Sequence, residues 1–510
     1  MDTDGATAAD RRLSGLDSAF LYLERKEIPL HIAGVFLFDG PIPFDEFVRS
    51  VQVNLRGIPR YRQVVVVPPY NAAYPTWEDD PQFDIGRHIF REQLRAPGGE
   101  AELEELTGRI LSPLMDRSKP LWDIHVVEGL KDGRGALILR VHHSLADGIA
   151  GAAAVMRLIM DPPPGAAPAP APRRGRGRKP EPPPGLAQSV AVGVNSSLGH
   201  LVSVANSFME VGRAMVGDSA AFAQAAALLP EIMGSVERLP FNKPCSGERG
   251  FCWGEFDMAE VKAIRNVAGG TVNDVVLAVL TRAIARYVEL HGQSVSGRLI
   301  RVICPVNLRR DDDKTMGNQI TFLPVSLPMD VEDPLRMVGE VAVRTALMKR
   351  IRAGEFVAIA AGYLGLTPPA VQAMMWRGIS DVILPLPLFN IICTNIPGSR
   401  EPLFCVGRRL LACYPQVPTG YELGVNFAVL SYCGKLQYGL ISDVQVVPDA
   451  TRLRDFLNDA FDELCRAAGV RKARRRRPAK PRARTATPAP DSSETAPAGS
   501  KAAGAAAGSS

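Results

Sequence analysis

The sequence predicts an α/β (α+β) fold of more than one domain, and three observations predict it. An alternating, apolar segment ending near residue 141 runs straight into a run of helix formers. A second, longer helical run begins after residue 273. The length of 510 residues then suggests two or three domains, each with room for a real core.

The elements follow in order. Lys131-Asp-Gly-Arg-Gly135 is a turn signal, and Ala136-Leu-Ile-Leu-Arg-Val141 after it reads as a strand. Alternate side chains of an extended chain share a face, which groups His143 with Leu137, Leu139 and Val141, and His142 with Ile138 and Arg140. Gly148 to Met160 reads as a helix. Val275 to Val288 is a strong helical run, for which Asn273 is the expected N-cap and Asp274 a favourable first-turn acid.

Between the first strand and helix stands His142-His143-Ser-Leu-Ala-Asp147-Gly148. A neutral imidazole, with an unperturbed pKa of about 6.5, is the usual base for activating a hydroxyl near neutral pH. Asp147 either accepts from the imidazole or pairs with a distant arginine; the spacing leaves both open. Gly148 lets the backbone bend where a side chain would obstruct. No metal site is expected: there are seven histidines, no cysteine in the first 240 residues and no second His/Glu cluster at ligand spacing. The eight cysteines fall between Cys245 and Cys465 without CxxC spacing and read as reduced, buried small residues. Cys304, beside Pro305 and Val306, reads as a core thiol rather than an acyl-carrying nucleophile.

Further landmarks accompany the histidine pair, which fits the HHxxxDG pattern. They are Leu13 to Glu24, Pro120-Leu121-Trp122, Asn273-Asp274, Pro305 to Arg309 followed by Gly317-Asn318, Thr394 to Gly398, and Leu430 to Gly434. In this order, over roughly residues 10 to 470, the chain resembles the bacterial wax ester synthase/acyl-CoA:diacylglycerol acyltransferase family. The resemblance implies two chloramphenicol-acetyltransferase-like domains, with a channel between them, as also seen in peptide-synthetase condensation domains. It implies transfer of a long-chain acyl group from acyl-CoA to diacylglycerol or a long-chain alcohol, with His143 as general base, assisted by His142, Asp147 and Gly148. No cofactor is implied, since acyl-CoA is a substrate.

Pro120, Leu121, Trp122, Asn273, Asp274, Arg309, Gly317 and Asn318 would bind substrate or support the site, Arg309 by fixing Asp147 across the domain junction. Each has a plainer reading: Trp122 as core, Asn273 as a cap, Arg309 as part of the charged run to Lys314, and Asn395 to Gly398 as a turn. Two other functions share these features. One is a condensation-type enzyme using a carrier-bound acyl group, although nothing resembles a carrier domain. The other is a non-catalytic lipid-binding or droplet-coating protein.

Composition divides the chain into an acyltransferase domain at 1–160, a Pro/Arg-rich linker at 161–185 and a helical connector at 186–240. A second acyltransferase-like domain at 241–470 and a basic tail at 471–510 complete it. Overall, 46% hydrophobic and 22% charged residues are ordinary for a globular protein. The formal charge of +5 conceals +3 on the linker and +8 on the tail, leaving −6 for the remainder. The arms could merely solvate the chain, bind nucleic acid without any recognised module, or hold the enzyme at anionic lipid. The apolar connector would pack on the body or rest on a membrane or lipid droplet. No signal sequence and no uninterrupted apolar stretch of eighteen residues is evident. The expected location is cytoplasmic, peripheral to the membrane's inner face or to lipid droplets.

Overall fold

The computed structural model describes residues 11–145, 148–162, 234–307, 320–350, 367–379 and 387–470. Most of the expected linker and connector, the whole tail, and Asp147, Arg309, Gly317 and Asn318 lie outside the described residues.

The first half supplies α1 (Gly15–Leu23), β1 (His31–Phe38), α2 (Phe44–Asn54), β2 (Gln63–Val66), β3 (Thr76–Asp79), β4 (Ile89–Gln93) and α3 (Glu100–Leu111). β5 (Trp122–Glu128), β6 (Gly135–His142) and α4 (Gly148–Ile159) follow. The second half supplies β7 (Arg249–Asp257), α5 (Met258–Ala268), α6 (Val272–Leu290), β8 (Leu299–Asn307), β9 (Ile320–Pro328) and α7 (Pro334–Arg350). After these come α8 (Pro369–Ile379), β10 (Ile391–Pro397), β11 (Phe404–Cys405), β12 (Arg408–Gln416), β13 (Val425–Tyr432), β14 (Lys435–Asp443) and α9 (Ala450–Ala467). The strand and helix read on either side of the two histidines are β6 and α4.

The strands form two mixed six-stranded sheets, ordered β11-β12-β1-β6-β5-β4 and β7-β14-β13-β10-β8-β9, and a small β2-β3 pair. The first sheet crosses the division drawn from composition. β11 and β12, from the segment assigned to the second domain, complete it, with β12 antiparallel to β1 from Ala33 opposite Gln416 to Phe38 opposite Leu410. Composition carries no record of such a pairing, because it is set by register between segments some 370 residues apart.

Alternation along β6 sorts its side chains into two cores. Leu137, Leu139 and Val141 pack with Phe36, Phe38, Trp122, Phe47 and Leu158, under α2 and α4. Ala136 and Ile138 face the other way, onto Leu103, Leu106 and Ile110 of α3, together with Phe251, Trp253 and Tyr414. This second core also joins the two sheets: Trp253 of β7 stacks on Tyr414 of β12 at 5.1 Å between ring centres. The join is close enough to demand glycine. A Cβ at Gly108 of α3 would lie 2.4 Å from the Arg249 carbonyl oxygen, and one at Gly439 would lie 2.1 Å from that of Pro415.

The second sheet wraps α6, whose Leu277, Leu280 and Ile284 are fully buried. Burying each such side chain contributes roughly 1.5–3 kcal/mol. The helix begins two residues earlier than its expected cap: Thr271, not Asn273, is the N-cap. Thr271 Oγ1 accepts the Asp274 amide at 3.3 Å, and Asp274 Oδ2 accepts the Thr271 amide at 2.7 Å, a reciprocal capping box. The Asp274 side chain also accepts from Thr345 of α7 at 2.7 Å. No single helix among the described residues is long and apolar enough to cross a membrane.

Candidate active site

β6 carries its last two face-sharing polar residues, Arg140 and His142, on the side of α3. His142 is fully buried, and its amide donates to the Leu121 carbonyl at 2.9 Å. Pro120, Leu121 and Trp122 are all buried, at the start of β5. Trp122 Nε1 donates to the Tyr61 carbonyl at 2.7 Å, and its ring stacks on His88 at 4.4 Å. The plain reading of Trp122 as core holds.

The chain turns directly after His142, with the Leu145 amide donating back to the His142 carbonyl at 2.9 Å. The side chain of His142 secures the same turn. Its Nδ1 accepts the Ser144 amide at 3.1 Å and lies 2.7 Å from Ser144 Oγ. A nitrogen that accepts from an amide carries no proton, so the neutral ring bears its proton on Nε2. Nε2 lies 3.3 Å from Oε1 of Glu24. Nδ1 of His142 is thus engaged in the turn, while Nε2 is buried facing Glu24.

His143 is placed differently. Its amide donates to the Leu30 carbonyl at 2.9 Å, and its ring stacks on Phe20 of α1 at 3.9 Å with an interplanar angle of 19°. The side chain keeps part of its surface open. Nδ1 is buried. Burial and the neighbouring His142 draw its pKa down to about 4, with its own backbone carbonyl acting in the opposite sense. At neutral pH the ring is uncharged and able to accept a proton.

Sequence reasoning missed Glu24, which closes α1. Its side chain is 1% exposed. Oε1 accepts the Leu30 amide at 3.0 Å, and Oε2 accepts from Arg117 Nη2 at 2.9 Å. Burial pushes this carboxyl up, but His142, the Leu30 amide and Arg117 together outweigh it and hold the pKa at about 2. Phe20 was missed as well. Both stand in the Leu13 to Glu24 landmark, but their contact with a turn 120 residues later leaves no local signal.

Beside this cluster lies another. Arg140 forms a bidentate pair with Asp123 at 2.9 and 2.6 Å. Its Nη1 also donates to the carbonyls of Ile110 at 2.5 Å and Pro113 at 3.1 Å, a cation set at the C-terminus of α3. Burial works to raise the Asp123 carboxyl, but bonds from His125 and Arg140 hold it well below the usual range. His31, opposite His142 in the β1–β6 ladder, is drawn down to about 3, by burial and then by Arg140.

Two of the remaining landmarks meet each other. Asn273 Oδ1 accepts from Asn395 Nδ2 at 3.4 Å, so the Asn273-Asp274 pair and the Thr394 to Gly398 segment meet. Among the described residues this asparagine pair makes no hydrogen bond to the histidines. Gly148 is the first residue of α4. Cys304 is buried, and its thiol is pushed up to about 12, in keeping with an inert core residue. Among the described residues no group of three or more His, Cys, Asp or Glu could hold a metal ion.

Comparison with known proteins agrees along nearly the whole chain. Residues 13–276 match the model for the wax ester synthase/diacylglycerol acyltransferase catalytic domain, and residues 316–465 match that for the C-terminal domain of the same family. Two Mycobacterium tuberculosis proteins, each named a probable diacylglycerol O-acyltransferase, are similar in sequence. One is 30% identical over 465 residues, covering 89% of this chain and 98% of its own. The other is 29% identical over 481 residues, covering 91% and 98%. Among solved structures, a wax ester synthase/diacylglycerol acyltransferase from Marinobacter aquaeolei VT8 matches with a TM-score of 0.62 at 24% identity, over 90% of this chain and all of that one. The first condensation domain of the CDA synthetase matches with a TM-score of 0.56 at 14% identity, over 91% and 98%. The fold is the two-domain, condensation-like one.

Proposed function

The chain belongs to the wax ester synthase/diacylglycerol acyltransferase family and is an O-acyltransferase, and we propose that it esterifies diacylglycerol with long-chain acyl groups from acyl-CoA, using His143 as general base. Fatty alcohols are the second acceptor class. The observation that carries the reading is the division of labour between the two histidines. His142 is wholly buried, with Nδ1 tied to Ser144 and Nε2 facing Glu24, whereas His143 is neutral, partly open and held flat against Phe20.

In this scheme Nε2 of His143 takes the acceptor hydroxyl proton as the oxygen attacks the thioester carbonyl carbon. The tetrahedral intermediate collapses with cleavage of the C–S bond. The departing CoA thiolate recovers the proton from the imidazolium, leaving ester and free CoA. No acyl-enzyme forms, a reading supported by the raised pKa of the buried Cys304 thiol. Holding two reactants in line and supplying a base each contribute several powers of ten. Asp147, Arg309, Gly317 and Asn318 keep their supporting roles within this proposal. The basic cluster Arg471 to Arg477 would hold the enzyme at anionic lipid, at about 1 kcal/mol per charge near the surface.

The test is release of free CoA from palmitoyl-CoA, with diacylglycerol or hexadecanol supplied separately. Acceptor-dependent release by sequential kinetics is expected. Ping-pong kinetics with a trapped acyl-enzyme would overturn the mechanism. Absence of release from folded protein that binds acyl-CoA would turn the reading toward a carrier-bound donor or a lipid-binding protein.

A further inference from the structure

We propose that Glu24 is the positioning residue of this site, fixing His143 through both the His142 ring and the backbone of Leu30. The proposal rests on the reading of His143 as the base. Two contacts meet on one oxygen: Oε1 accepts the Leu30 amide at 3.0 Å and faces His142 Nε2 at 3.3 Å. The Leu30 carbonyl in turn accepts the His143 amide at 2.9 Å. Glu24, Leu30, His143 and His142 therefore close a ring of contacts with the carboxylate as its keystone. The other oxygen is tied back to Arg117, which also donates to the Leu21 carbonyl at 2.8 Å and so anchors the end of α1.

The geometry of α1 gives the reason for a residue at this place. Positions four apart lie on one side of a helix. Phe20 and Glu24 are such a pair, Phe20 set against the ring of His143 and Glu24 against the ring of His142. One helix end thus holds two adjacent histidines in different states. The role needs acceptors: the carboxylate accepts from the Leu30 amide and Arg117 and faces His142 Nε2, and shortening it to a methyl leaves the Leu30 amide unpaired and Nε2 without the oxygen it faces in a buried site. A displacement of 1 Å at a catalytic group can cost about 10²-fold in rate. Glutamine retains one acceptor oxygen, which can stand in the place of Oε1 while the partly exposed Arg117 turns to solvent.

The experiment compares wild type, Glu24→Ala, Glu24→Gln, His142→Ala and the Glu24→Ala/His142→Ala double variant in the CoA-release assay. Histidine-selective ¹⁵N spectra of the full chain accompany it. Glu24→Ala is expected to lower kcat by about 10²-fold while KM for acyl-CoA stays within about twofold, and Glu24→Gln to recover most of that loss. The double variant should fall no further than the worse single one, since both act on the same turn. Losses that multiply, or a Glu24→Ala enzyme with wild-type kcat, would overturn the proposal. Should Glu24→Ala not fold, the wild-type spectrum decides: His142 carrying its proton on Nε2 supports the proposal, and on Nδ1 sinks it. If wild type itself releases no CoA, the functional reading fails, and Glu24 is judged on that spectrum alone.

Discussion

The second sheet closes on a core where Leu277, Leu280, Ile284, Val302 and Val325 meet, and its buried charges, the Arg249–Asp443 pair and Arg301, lie towards the ends of its strands. The first sheet has a comparable apolar core under α2 and α4, but its opposite face carries His31, Asp123, Arg140 and His142, all buried and ionisable. Burying such groups is costly unless each is paired. The pairs are present, Arg140 with Asp123 and His142 with Glu24. What distinguishes the first sheet is where its buried ionisable groups stand: His142 ends β6 and leads into the histidine turn, beside Arg140 on the same strand face.

The contrast can be broken most severely at His143. Its replacement by alanine is expected to cost about 10²–10⁴ in kcat, with a fall in the unfolding midpoint limited to its lost stacking on Phe20. His142→Ala should be the less damaging chemically. Arg140→Met is the next test. It strands Asp123 as a buried, unpaired charge and should lower stability by about 3–5 kcal/mol in urea unfolding. It should also lower the kcat of the folded fraction, because Arg140 and His142 share one strand face. The matched change in the second sheet, Leu280→Ala, should cost about 2–5 kcal/mol and leave the kcat of folded enzyme unaltered. Equal kcat losses for the two variants would erase the distinction between the sheets.

Acid offers a graded version. His31, His88 and His143 are held near 3, 4 and 4, below the usual histidine value, chiefly by burial. The folded protein refuses protons that the unfolded chain accepts below about pH 6.5, so stability falls as pH drops from there toward 4. The slope is up to about 1.4 kcal/mol per pH unit for each histidine. Glu24, depressed to about 2, adds to the loss below about pH 4.5. A urea midpoint flat between pH 7 and 4.5 would contradict this. The smallest effect belongs to the second sheet: Thr271→Ala removes one half of the α6 cap and should cost about 1 kcal/mol, read as a small fall in the same midpoint.

What could be read in the sequence was what local pattern encodes. β6 and α4 were legible because alternation and helix propensity are properties of neighbouring residues, and the motif between them marked the histidines. The cap of α6 was misplaced by two residues. Asn273 and Thr271 are both good caps, and only the reciprocal bond with Asp274 chooses between them. Glu24 could not be read at all: an acidic residue after Phe20-Leu-Tyr-Leu23 looks like an ordinary helix end until the fold brings it to His142. For the same reason nothing in Arg408 to Gln416 announces that it belongs beside β1.

That last pairing bears on how the molecule is made. A ribosome delivers residues 31–142 long before residues 404–416, and domains generally fold as the chain emerges. Until the late strand arrives, β1 presents an open edge of unpaired amides and carbonyls, the kind of edge on which chains associate wrongly. The histidine turn hangs on β6, the strand next to that edge. A nascent chain of 400 residues therefore holds every residue of the histidine cluster and still lacks the strand that seals its sheet. Translation pauses between β6 and β12 would lengthen this exposed interval, and the yield of active enzyme would follow the speed of the ribosome across it.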